Sequence, residues 1–321
     1  MHNVSPVIQR LWRQPAPNDL NWQWIELRTK VKAVAGAQGV DSLFLRPTTL
    51  EEAVRALSES RGTILSGGTD FFPGLVDRPM TSPVIDISNV TEIKGFRTTA
   101  EHIHIGGRTT WSEIVAAVLP RGFAGLRAAA REVGGVQIQN LGTIAGNLCN
   151  ASPAADGVPA LLALDAQVVL ASVAGTRSMP LGEFLVGNRE TMRRPDEILT
   201  SVAIPRRLEN SASTFLKLGS RRYLVISIAM VAANLVTDGS RRISEALIAV
   251  GACSARAQRL PVLEGALAGE IARPGIGKSV KPEHLRSLLP LDDVRATSAY
   301  RREAAQVLVR RALEACVEKL P

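Results

Sequence analysis

Residues 140–156 read Asn140-Leu141-Gly142-Thr143-Ile144-Ala145-Gly146-Asn147-Leu148-Cys149-Asn150-Ala151-Ser152-Pro153-Ala154-Ala155-Asp156. The stretch is rich in Gly, Asn, Ser and Thr and carries a single charge, at Asp156. That composition suits a loop whose backbone N–H groups face phosphate oxygens. Upstream, Ile64-Leu65-Ser66-Gly67-Gly68-Thr69-Asp70 ends an apolar run with a glycine pair. Glycine allows either a close backbone approach or a plain tight turn. Two segments of this kind either grip a dinucleotide-type pyrophosphate from two sides or form two structural turns; the residues leave both open.

Outward from these segments the chain alternates helix and strand. Thr49 and Glu52 have capping-box spacing ahead of Leu50, Ala53, Val54 and Leu57, a helical stripe of about three turns. Thr63–Ser66 and Val84–Ile87 read as short buried strands, and His102–Ile105 as a half-buried one. Thr110 and Glu113 repeat the capping box, and residues 124–133 form a further helix stopped by Gly134-Gly135. Residues 167–172 and 177–180 predict a hairpin around Ala174-Gly175, and residues 197–205 a strand that closes this unit. A polar boundary follows near residues 209–213. Beyond it, residues 225–237 and 242–252 predict a hairpin turned by Asp238-Gly239. Ala305, Leu308, Val309, Ala312, Leu313, Cys316, Val317 and Leu320 lie on one face of a terminal helix. Residues 1–38, with Trp12, Trp22 and Trp24, show no clean period and read as an extension.

Composition narrows the function. A chain of 321 residues with 45% hydrophobic and 21% charged content can bury a substantial core in two or three units. A net charge of +8 favours anionic ligands, but the basic residues are dispersed and aromatics are only 4%, which argues against a nucleic-acid groove with stacking platforms. No apolar run approaches the roughly 18 residues of a membrane span, and no basic segment precedes an apolar stretch at the N-terminus. The expected location is therefore the cytoplasm.

Cys149, Cys253 and Cys316 stand far apart, so neither a disulfide framework nor a self-contained metal site is readable, and any metal is expected on another chain. Gly277-Lys278-Ser279 resembles the end of a P-loop, but Ala272 stands where the first glycine belongs. A Rossmann glycine pattern is absent. His102 and His104 share a strand face without a third ligand nearby and read as an exposed face. No histidine lies in a nucleophile motif, which leaves hydrolysis without support.

Taken together, these residues resemble the FAD-binding medium subunit of the molybdenum hydroxylases, the relatives of xanthine dehydrogenase and carbon monoxide dehydrogenase. Residues 64–70 look like that family's first pyrophosphate loop. Thr143-Ile-x-Gly146-Asn147-x-x-x-Ala151-Ser152-Pro153-x-x-Asp156 looks like its second, which is the more specific. Supporting matches are Val84-Ile85-Asp86-Ile87, Gly135-x-Gln137, Pro195-Asp196-Glu197-Ile198-Leu199, Lys217-x-x-x-Arg221-Arg222 and Leu260-Pro261-x-x-Glu264-x-x-Leu267. The resemblance covers about residues 39–321.

It implies an α+β chain: a PCMH-type, vanillyl-alcohol-oxidase-like FAD-binding domain of two α/β subdomains over 39–209. A smaller α+β domain, similar to the C-terminal domain of CO dehydrogenase flavoproteins, follows over 210–321. Carried over by position, FAD contacts are Leu65, Ser66, Gly67, Gly68, Thr69, Asp70, Phe71, Thr143, Gly146, Asn147, Cys149, Asn150, Asp156, Leu199 and Lys217, with residues 223–226 near the isoalloxazine ring. Asp156 would accept a ribityl or ribose hydroxyl, unless it serves only as a helix N-cap. Lys217 would stabilise a reduced, anionic ring. Cys149 would be a lining residue. No catalytic residue and no metal ligand is assigned.

The resemblance further implies partners: a large molybdopterin subunit that oxidises substrate and a small subunit with [2Fe–2S] clusters, assembled as an (αβγ)₂ heterohexamer or an αβγ heterotrimer. The FAD of this chain would collect electrons for an external acceptor. A partner's twin-arginine signal would be the route to the periplasm. Two departures stand out. Tyr223-Leu224-Val225 follow the Arg-Arg pair where nicotinamide-reducing members carry acidic residues, and the cysteine-bearing insertion that holds a [4Fe–4S] cluster in a few relatives is missing. The alternatives are a stand-alone FAD reductase or oxidase, with Tyr223 or Ser220 as proton donor, and a flavin-less docking subunit.

Overall fold

The computed structural model describes residues 44–75, 80 and 82–320. The extension read over residues 1–38, with its three tryptophans, lies outside them. Strands β1 (Phe44–Leu45), β2 (Thr63–Leu65) and β3 (Val84–Asp86) form a small parallel sheet in the order β1-β3-β2. Helix α1 (Leu50–Ser60) starts where its capping box predicts: the Thr49 hydroxyl accepts the Glu52 N–H at 3.1 Å, and the Glu52 carboxylate accepts the Thr49 N–H at 3.3 Å. Its stripe of Ala53, Val54 and Leu57 packs on Ile85 of the sheet and on Ile87 of the 3-10 turn that follows β3. The short helix α2 (Phe71–Gly74) follows the glycine pair.

A second sheet takes β4 (Phe96–Thr98), β5 (His102–Gly106), β6 (Gln167–Ser172), β7 (Gly175–Pro180) and β10 (Ile198–Pro205) in the antiparallel order β4-β5-β10-β6-β7. The strand that arrives last sits in the middle, bonded to both β5 and β6. This accounts for its near-continuous apolar run, since both faces of β10 are covered. His102 and His104 do share a face, with ring centroids 5.9 Å apart, but that face is half-buried rather than exposed. Burial, with help from Arg97 and His102, lowers the His104 pKa below its ordinary value.

Helices α3 (Trp111–Ala116), α4 (Ala124–Glu132), α5 (Val136–Leu141), α6 (Ile144–Asn150), α7 (Gly157–Ala163) and α8 (Leu181–Phe184) lie along the chain between and around these strands, and β8 (Leu185–Gly187) pairs with β9 (Glu190–Thr191) in a short hairpin. A third sheet follows, with β11 (Ala212–Leu218), β12 (Ala229–Thr237), β13 (Ile243–Gly251) and β14 (Gln258–Arg259) in chain order, all antiparallel. Helices α9 (Pro261–Leu267) and α10 (Ser298–Glu318) complete the described chain. Its second strand starts at Ala229 rather than Val225, because residues 220–226 bend and Leu224 adopts φ +51°. The hairpin turn spans Asp238–Arg242 rather than two residues: the Asp238 carboxylate accepts the N–H groups of Ser240 and Arg242, and Arg241 turns left-handed.

The third sheet is buried on both sides. Val231, Ala233 and Leu235 point to a core shared with Leu308, Val309, Ala312 and Leu313 of α10. The alternate residues Met230 and Ala232 join the core that holds Leu126 of α4 and Leu161 of α7. Helices α4 and α7 thus form a layer between the second and third sheets. No helix among the described residues is long and apolar enough to cross a membrane.

A charged joint ties this layer together, beside neutral hydrogen bonds from Asn234 to the Ala163 carbonyl and from the Gly125 amide to Ser213. At the start of α7, Asp156 is 8% exposed; its Oδ2 accepts from Lys217 Nζ of β11 at 2.8 Å and its Oδ1 from the Ser227 hydroxyl at 2.7 Å. Lys217 also donates to the Glu132 carbonyl at the end of α4. Burial pushes the Asp156 carboxyl above its ordinary value, and Lys217 and Ser227 pull it part of the way back. A raised carboxyl pKa means that this share of stability is present below the unfolded value of about 4 and is lost as pH rises through the folded value. Lys217→Met removes the main offset. It should cost about 3–5 kcal/mol near neutral pH, less in acid, and Asp156→Asn in the same chain should recover part of the loss. Denaturant unfolding of the three proteins across pH checks this; a deficit that stays constant with pH refutes it.

Candidate functional site

Between the small parallel sheet and the helices α3, α5 and α6 lies a cleft of about 630 Å³. The first glycine segment forms one wall: Leu65, Ser66, Gly67, Gly68, Thr69, Asp70 and Phe71 all line it. Gly67 is pressed against the second segment, where a Cβ would stand 1.9 Å from the Leu141 carbonyl oxygen. Gly68 holds φ +73°, a conformation side chains rarely adopt, with the Phe72 ring over it. The N–H groups of Gly67, Gly68, Thr69 and Asp70 donate to no acceptor among the described residues. Successive unpaired amides in one turn make an anion-binding concavity.

The opposite wall differs from the loop that its composition predicts. Residues 136–150 form the helices α5 and α6, broken at Gly142-Thr143. Thr143 is the N-cap of α6, and its hydroxyl accepts the Gly146 N–H at 3.1 Å. The Ile144 and Ala145 amides donate to the Thr109 and Gly107 carbonyls, each at 3.0 Å. The first-turn amides of α6 are therefore engaged within the protein. Besides Thr143 and Gly146, this wall presents Ile138, Gly142, Ala145 and the side chains of Asn147, Cys149 and Asn150. The Asn147 Oδ1 is buried without a partner among the described residues. Leu199, at the start of β10, also lines the cleft.

Asp156 and Lys217 stand apart from this lining. They meet each other in the joint between α7 and β11, and Asp156, although it occupies the N-cap position of α7, makes no cap hydrogen bond with its side chain. Tyr223, Leu224 and Ile226 are more than half exposed, and Leu224 packs against Gly135 ahead of α5. The P-loop-like Gly277-Lys278-Ser279 lies in a short 3-10 turn, whose Gly275 and Gly277 amides are already held by the Glu314 carboxylate.

The structure adds two cations that the sequence reading passed over. Arg189, in the β8–β9 connection, reaches across the cleft to Asp70 in a two-pronged pair at 3.0 and 3.1 Å. Arg193, between β9 and β10, lines the cleft as well. Only the run of arginines around them was visible in the sequence, with no spacing that links it to residue 70. Burial pushes the Cys149 thiol up to about 11, with Arg193 working in the opposite direction, so Cys149 stays protonated near neutral pH. The thiols of Cys253 and Cys316 are raised by burial to about 11 and about 12. No cluster of metal-ligating side chains occurs among the described residues.

The residues fit FAD. The free amides of the first segment suit phosphate oxygens, and the unpartnered Asn147 oxygen awaits a hydrogen-bond donor. Trp111, Ile138, Ile198 and Leu199 back the cleft with apolar side chains, and the volume falls in the usual range of ligand pockets.

Residues 37–207 match the model of the FAD binding domain in molybdopterin dehydrogenase, and residues 214–316 that of the CO dehydrogenase flavoprotein C-terminal domain. The chain is 42% identical over 196 residues to the nicotinate dehydrogenase FAD-subunit of Eubacterium barkeri, a match covering 59% of this chain and 66% of that subunit. It is 29% identical over 273 residues to the nicotine 6-hydroxylase medium subunit of Paenarthrobacter nicotinovorans, covering 84% and 95%. A chain of the Hydrogenophaga pseudoflava carbon monoxide dehydrogenase structure that lacks the Mo-pyranopterin moiety superposes with TM-score 0.78 and 25% identity, covering 87% of this chain and 98% of that one. With the cleft described above, these matches establish that the chain belongs to the family of the FAD-binding domain in molybdopterin dehydrogenases.

Proposed function

We propose that this chain is the FAD-carrying electron-transfer subunit of a heteromeric molybdopterin-dependent dehydrogenase or hydroxylase. The observation that carries the proposal is the row of unpaired amides at residues 67–70, facing Asn147 and Asn150 across one cleft. Residues 39–209 form the flavin-binding domain and residues 210–321 the supporting one. The amides of Gly67 to Asp70 hold the pyrophosphate, Asn147 and Asn150 orient hydroxyls, and Leu65, Phe71, Cys149 and Leu199 exclude water. Asp156 and Lys217 act one layer behind, fixing α7 against β11. FAD, when bound, supplies redox chemistry in one- or two-electron steps.

In this reading a large molybdopterin subunit oxidises the substrate, a small subunit passes electrons through [2Fe–2S] clusters, and this chain delivers them to an external acceptor. The complex is an (αβγ)₂ heterohexamer or an αβγ heterotrimer. It works in the cytoplasm, with a partner's twin-arginine signal as the route to the periplasm. A stand-alone reductase or oxidase would need a proton donor beside the flavin. The proposed donors Ser220 and Tyr223 are both exposed and line no part of the cleft.

The protein purified with its partners should show oxidised-flavin bands near ~375 and ~450 nm and release FAD on denaturation. Colourless protein that takes up no added FAD refutes the proposal. Gly67→Ala should force the two walls apart, because its Cβ meets backbone rather than a movable side chain. FAD affinity should fall by about tenfold or more, on the scale of 1–3 kcal/mol for strain at a site. Equilibrium titration of the flavin-stripped variant measures it; wild-type affinity would show that the contact does not shape the site.

A further inference from the structure

Three charged side chains line the cleft among the described residues: Asp70, Arg189 and Arg193. The first two neutralise each other through their two-pronged pair. Arg193 is left. It is half-buried and donates through one guanidinium nitrogen to the main-chain carbonyls of Glu197 at 2.7 Å and Arg194 at 3.1 Å. The nearby Glu197 carboxylate is already taken by Arg177, at 2.5 and 2.8 Å, and by the Arg194 amide at 2.7 Å. Arg193 therefore has no carboxylate partner among the described residues, and its other guanidinium nitrogens have no acceptor.

Carbonyls fix a guanidinium in place without neutralising it, whereas a carboxylate would do both. A planar, permanently charged fork held this way is prepared for a phosphate. Its position agrees: Arg193 and Cys149 line the same cleft and lie close enough for the arginine charge to act on the thiol. The cleft thus combines unpaired amides on its first wall with one uncompensated positive charge.

We propose that Arg193 is an anion-binding residue of this cleft and that the anion it takes is the pyrophosphate of the bound dinucleotide, a proposal that rests on the FAD reading above. It adds to the amides of residues 67–70 a charge that the sequence pattern does not reveal. The competing role is structural, with Arg193 merely tying residues 194 and 197 together.

Affinities for FAD and for riboflavin, which lacks the phosphates, separate these roles. They are measured on the flavin-stripped protein with its co-purified subunits, by quenching of flavin fluorescence. Arg193→Met should weaken FAD by about tenfold to a hundredfold and leave riboflavin unchanged, and Arg193→Lys should recover part of the loss. FAD binding should also weaken with added salt in the parent protein and less so in Arg193→Met. Equal losses for both ligands, or none for FAD, overturn the proposal in favour of the structural role. A parent protein that binds no FAD overturns instead the reading beneath it.

Discussion

The site depends on one close contact. Gly67 meets the Leu141 carbonyl at a distance that leaves no room for any side chain, so two segments more than seventy residues apart in sequence are locked wall to wall. Gly67 and Gly68 lie beyond the end of β2, outside its ladder with β3. Their amides have no acceptor among the described residues, because the chain has just left β2 and α2 does not begin until Phe71. A buried amide without an acceptor is unfavourable in isolation. A row of them in a cleft is stable only if water or a ligand completes it, and this makes the contact a functional constraint as well as a packing one.

Behind that contact the molecule is organised to keep α6 still. The amides at its start are tied to Thr109 and Gly107, which connect β5 to α3, and the Gly107 amide in turn donates to the Thr200 carbonyl of β10. Strand β10 is the centre of the second sheet, so the second wall of the cleft hangs directly from the most enclosed strand of its domain. The third sheet meets the same layer through α4 and α7, with Lys217, Asp156 and Ser227 as a charged pin beside two buried neutral hydrogen bonds, Asn234 to the Ala163 carbonyl and the Gly125 amide to Ser213. Breaking one partner of such a pin leaves a buried charge uncompensated, which costs far more than the pin contributes.

Much of this was legible where the cause is local. Both capping boxes, the α1 stripe and the terminal-helix face fall where the spacing puts them, because caps and 3.6-residue periods are decided within a few residues. The second glycine-rich segment was legible as a site wall but not as helix. Gly, Asn and Thr score as loop formers, yet a threonine cap and backbone bonds from residues 107 and 109 hold α6 in place, and that tertiary support has no sequence signature. Arg189 and Arg193 were illegible for the same reason. The role of Arg189 comes from the β8–β9 connection folding over Asp70, 119 residues away in sequence, and that of Arg193 from its place beside Cys149 in the same cleft.

The charges in the cleft set what it can hold. Of its charged groups, Asp70 is bound to Arg189 in a two-pronged pair and Arg193 is held by main-chain carbonyls. Cys149 is pushed by burial to about 11, well away from the range where a thiol exchanges protons usefully. The lining is suited to bind an anionic ligand and to set its electrostatic environment. A protein that holds a redox group in such a setting controls when and where electrons leave it while the bond-breaking steps happen elsewhere, which is the division of labour of an electron-transfer subunit.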